Sequence, residues 1–99
     1  MKLKWYHYVA IFFSGVFWVN AIPHFIHGVS GQQFPTPFAN PPGKGMSSAT
    51  LNVIWGFANI LIGYFLLRIS KFTSKNKLGL IVFFVAIICV SVSLSIMFQ

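Results

Sequence analysis

"ATLNVIWGFANILIGYFLLRI", residues 49–69, decides the fold, because it runs 21 residues with Arg68 as its only charge. A hydrocarbon core of about 30 Å is crossed by roughly 20 residues of helix. Lipid offers the backbone no hydrogen-bond partners, so a segment of this kind must satisfy its own, which a helix does. Sustained period-two alternation, the mark of a barrel strand, is missing. The polar residues of the run are not scattered. Asn52, Gly56, Asn59 and Gly63 recur at spacings of 4, 3 and 4, which places them on one narrow stripe with Trp55 beside it. An amide in lipid is costly unless paired, and glycines let a second backbone come close, so this stripe is expected to face protein.

Two further apolar runs flank the first. Residues 78–98 form one of equal length, and Trp5 to Ile22 form another that meets Pro23. The latter is expected to continue through a kink at Pro23 to His27. The expected fold is therefore an all-α membrane protein of a single domain over 1–99. Its three transmembrane helices are placed at about 5–27, 49–69 and 78–98. Residues 70–77, "SKFTSKNK", are short and basic, so the second and third helices should form an antiparallel hairpin. Ser47 and Ser48 are candidate N-caps of the second helix. Trp5, Tyr6, Tyr8 and Tyr64 suit one interfacial belt, Trp18 and Trp55 the other, and His7 an interfacial place beside the first.

Composition agrees with this solvent. The chain is 57% hydrophobic and only 7% charged, whereas soluble domains carry about 25% charge. Its formal charge of +7 comes without one Asp or Glu. That absence excludes oxygen cages for calcium or magnesium, paired-carboxylate catalysis, and acid-driven proton coupling from within the chain. Nucleic acid is not the expected partner, because the cations flank apolar runs instead of gathering on one wetted surface. Lys2, Lys4, Arg68, Lys71, Lys75 and Lys77 would share one side of a three-span protein, and Lys44 alone the other. The positive-inside rule then sets the N-terminus in the cytoplasm and Gln99 outside, with anionic headgroups against the basic side. The competing reading is a cleaved signal peptide, since Val19-Asn20-Ala21 resembles a peptidase site. Bulky Trp18 and nearby Pro23 argue against cleavage.

Residues 28–47 are the least oily part of the chain. They hold four of the five prolines and four of the eight glycines. Structureless loops beyond about 12–15 residues are uncommon in compact units unless they serve a function. Phe34-Pro35-Thr36-Pro37-Phe38 should be extended, and the two phenylalanines can anchor it. The expectation is an ordered extracytoplasmic lid.

Chemistry has few places to live. Asn20, His24 and His27 repeat the 4-and-3 spacing on the first helix. Two imidazoles one turn apart could share a ligand, which makes His24 and His27 weak metal candidates, because stable sites want three or four strong ligands. The wider set of binding candidates is His24, His27, Asn20, Asn52, Trp55 and Asn59. The simpler expectation is that protein groups satisfy these histidines, loop carbonyls or Asn52 among them, with no cofactor. Lone Cys89 reads as a small packing residue, and Ser91, Ser93 and Ser95 as packing or back-bonded side chains. The leading functional expectation is a small non-catalytic membrane component. It would act as a subunit, accessory or lipid-interacting protein through helix packing, as a homo-oligomer or with a larger partner. The alternatives are a histidine site for metal, haem or quinone beneath the loop, and small-molecule transport as an oligomer.

Overall fold

The structure is a computed structural model and describes residues 2–98. It contains α1 (Trp5–Val29), β1 (Phe34–Pro35), β2 (Met46–Ser47), α2 (Ala49–Ile69) and α3 (Lys77–Met97). All three helices are long and apolar enough to cross a membrane, which makes this a helical integral membrane protein. Each helix has an identifiable start. The Lys4 amide donates to His7 Nδ1 at 2.9 Å at the head of α1. The Leu51 amide donates to Ser48 Oγ at 3.1 Å, so Ser48, and not Ser47, caps α2. Asn76 Oδ1 accepts from the Gly79 amide at 3.0 Å and caps α3.

Two helices stop by the same device. Beyond α1, the Gln32 amide reaches the His27 carbonyl and the Gly31 amide reaches that of Gly28. Gly31 sits at φ 75°. Beyond α2, Phe72 and Lys71 repeat those bonds to Leu67 and Arg68, with Lys71 at φ 57°. This is the Schellman arrangement, in which a left-handed residue turns the chain off the helix axis and satisfies its last carbonyls. α1 itself passes through Pro23, which contributes no amide hydrogen, and runs two residues beyond His27.

The chain divides into two compact units, Met1–Val19 with Ile60–Gln99, and Asn20–Asn59. In the first, Gly15 of α1 lies against α3. A Cβ there would stand 2.9 Å from Ala86 Cβ and 3.1 Å from the Phe83 carbonyl. Ile11 and Ala86 are fully buried, and Ser14 Oγ donates to the Gly63 carbonyl at 2.8 Å. Asn76 Nδ2 also reaches the Tyr8 hydroxyl, at 3.3 Å. The remaining surface of α3 is mostly apolar and exposed, with only 6% of its apolar window buried against 33% for α1.

In the second unit, α1 and α2 pack antiparallel through glycines. A Cβ on Gly28 would fall 2.7 Å from the Ala49 carbonyl, and one on Gly56 would fall 2.9 Å from the Phe25 amide nitrogen. The intervening loop folds back as a two-stranded antiparallel ribbon, pairing Phe34 with Ser47 and Pro35 with Met46. Thr36 anchors its far side. Its carbonyl accepts from the amides of Ala39 and Gly43, and its hydroxyl shares a 2.6 Å hydrogen bond with that of Ser47.

Candidate functional site

All six candidates from the sequence fall within the second unit. Asn52 is its hub. This fully buried side chain sits on the first turn of α2, where its amide group donates to the carbonyls of Phe34, Ser47 and Ser48 at 3.0–3.1 Å. Three acceptors fix the amide orientation, since only Nδ2 carries hydrogens. Oδ1 is then an acceptor, and it lies 2.8 Å from His24 Nδ1. Hence His24 donates through Nδ1. One side chain thereby fastens both strands of the ribbon and the head of α2 to α1.

Seven residues further along α2, a second asparagine makes a smaller version of the same link. Asn59 Nδ2 donates to the Trp55 carbonyl at 2.8 Å, and Asn59 Oδ1 accepts from Asn20 Nδ2 at 3.1 Å. The spacing that put Asn52, Gly56 and Asn59 on one stripe thus turns all three toward α1. His27 does not join this network. Its Nδ1 donates to the Pro23 carbonyl at 2.7 Å, one turn back on its own helix. Its ring lies over Phe34, with centroids 4.2 Å apart.

Aromatic rings close the site. His24 meets Phe34 edge-on at 5.3 Å and Trp55 edge-on at 6.4 Å, and Phe38 meets Trp55 edge-on at 5.3 Å. The Trp55 indole nitrogen is buried and has no hydrogen-bond partner, as is that of Trp18 in the first unit. Both are misfits to the sequence-based belt, in which an indole N–H reaches the wet interface.

No group of three or more His, Cys, Asp or Glu gathers as metal ligands among the described residues. What the arrangement offers chemically is two imidazoles whose Nδ1–H is committed to protein oxygens. Neither Nε2 makes a hydrogen bond among the described residues. Sequence reasoning missed Ser14, Gly28 and the Thr36–Ser47 pair. Gly28 carried a readable signal, since it continues the Asn20, His24 and His27 face by one position. The Thr36–Ser47 contact carried none, because it depends on a ribbon register set by folding.

The site therefore defines a helical membrane protein whose interhelical polar cluster is strapped by a short β-ribbon. The chain matches no family model, no curated protein and no solved structure.

Proposed function

We propose that this protein is a non-catalytic membrane component that works through its helix surfaces, as a subunit or accessory protein. One observation carries the reading: among the described residues, the seven buried Ser, Thr, Asn and His side chains, Ser14, His24, Thr36, Ser47, Asn52, Asn59 and Ser70, each make an internal hydrogen bond. Polar groups poised for chemistry on a substrate are left exposed to it, whereas these hold helices and loop together. α3, with its exposed Ile81, Phe84, Ile88 and Val92, then offers an apolar surface to lipid or to another membrane helix.

The proposed setting is the cell membrane, with the N-terminus in the cytoplasm and the Pro/Gly-rich loop outside as an ordered lid. The basic side, from Lys2 to Lys77, would rest on anionic headgroups, each cation near the surface contributing about 1 kcal/mol. The test is isolation from native membranes in a mild detergent, followed by mass spectrometry of the intact assembly. A discrete complex, either homo-oligomeric or with one stoichiometric partner, is expected. A monomer with no co-isolating protein, together with turnover of an added substrate, would overturn the reading.

A further inference from the structure

We infer that the corner formed by His24, Trp55 and Phe38 binds a lipid-soluble hydroxylated aromatic molecule of the quinol class. This goes beyond the assembly role and is independent of it. Two unmet hydrogen-bonding groups carry the inference. The Trp55 N–H is buried without an acceptor, a condition rare enough in folded proteins to need a cause. Across the corner, the His24 Nδ1–H is held by Asn52. In the neutral ring this leaves Nε2 as a lone-pair acceptor with no donor among the described residues. The two rings stand 6.4 Å apart between centroids at 81°. They are neighbours that do not bond each other, so each brings its own unpaired nitrogen to the corner, one a donor and the other an acceptor.

A hydroxyl has the matching chemistry, since it donates to the imidazole nitrogen and accepts from the indole. A metal ion has not. It would find two imidazoles and no carboxylate, short of the three or four strong ligands a stable site requires. The walls select the remainder of the ligand. Phe34, Phe38 and Trp55 present ring edges and faces, which favour a flat aromatic body in offset or edge-on contact. Phe38 covers the indole yet is itself 51% exposed, so rotating it outward opens the corner with little burial lost.

The experiment uses the full chain in nanodiscs of zwitterionic phospholipid. Binding of trimethylhydroquinone and of its dimethyl ether is measured by equilibrium dialysis against empty discs. Saturable binding of the hydroquinone at one per chain is expected, about tenfold tighter than the ether, which cannot donate. His24→Asn keeps a side-chain N–H for Asn52 but removes the acceptor, and Trp55→Phe keeps the ring but removes the donor. Each should weaken hydroquinone binding about tenfold, the worth of one hydrogen bond, while the thermal midpoint stays within a few degrees. Ile54→Ala, on the exposed face of α2, serves as the control and should bind as wild type. Equal uptake of the two probes, or binding unaffected by both site variants, would overturn the proposal and leave the unpaired groups to a trapped water. Dodecanol binding as tightly, with the same dependence on both variants, would overturn the aromatic class.

Discussion

At the scale of single residues, Asn52 bears the most structure for its size. Asn52→Leu keeps the volume but strips His24 and the loop carbonyls of their partner. The cost of leaving such groups buried is about 1–3 kcal/mol each where no water replaces the bond. A loss of about 2–4 kcal/mol is expected, read as the shift in an SDS-unfolding titration. The loop should loosen as well, so trypsin should cut after exposed Lys44 at least several-fold faster than in wild type. An unchanged rate would mean that the ribbon holds the loop without Asn52. Gly31 tests the backbone alone. It sits at φ 75° with nothing within 4 Å of a prospective Cβ. Gly31→Ala should thus cost about 1 kcal/mol through the left-handed conformation and nothing through packing.

At the scale of elements, the α1–α2 contact depends on absent side chains. Gly56→Leu would drive a side chain into the Phe25 backbone, which stands 2.9 Å from the Cβ position. Overpacking of this kind costs about 1–3 kcal/mol and more when backbone must move. Ile54→Leu, at a position 60% exposed, should fall within about 0.5 kcal/mol of wild type. Thermal unfolding in detergent compares the two, and equal midpoints would refute close packing along this stripe. α3 depends instead on its cap. Asn76→Ala removes the acceptor for the Gly79 amide and the donor to Tyr8, a loss of about 1 kcal/mol. Tyr8→Phe should account for the smaller part of it, because that hydrogen bond is the longer one.

At the scale of the whole molecule, three crossings are expected to put the start of α1 and the end of α3 on opposite sides. Gln99 lies outside the described residues, but α3 reaches Met97, so a reporter fused after it reports the final crossing. Alkaline phosphatase there should be active and a green fluorescent protein dark. The reverse pattern would contradict the proposed orientation or the number of crossings. Moving charge offers a second check. Replacing Lys71, Lys75 and Lys77 by Gln should weaken the orientation and produce a mixed population of fusions, because basic residues close to the helix ends govern insertion.

The three spans were legible from the chain itself because they follow from local quantities. Uninterrupted apolar length and the need to satisfy each backbone group internally have one solution in lipid, and the bounds of α2 coincide with the apolar run 49–69. Periodicity likewise put Asn52, Gly56 and Asn59 on one face. What the tertiary structure alone decided was which partners those faces meet. That Asn52 donates to the loop and accepts from His24, whereas His27 turns back to Pro23, depends on where the connection between α1 and α2 returns. The pairing of Phe34 with Ser47 is set by register between segments, which no single-segment pattern encodes. The same holds for the buried Trp18 and Trp55 nitrogens. Each tryptophan has the composition of an interfacial anchor, and only the packing around it determines whether its N–H reaches water.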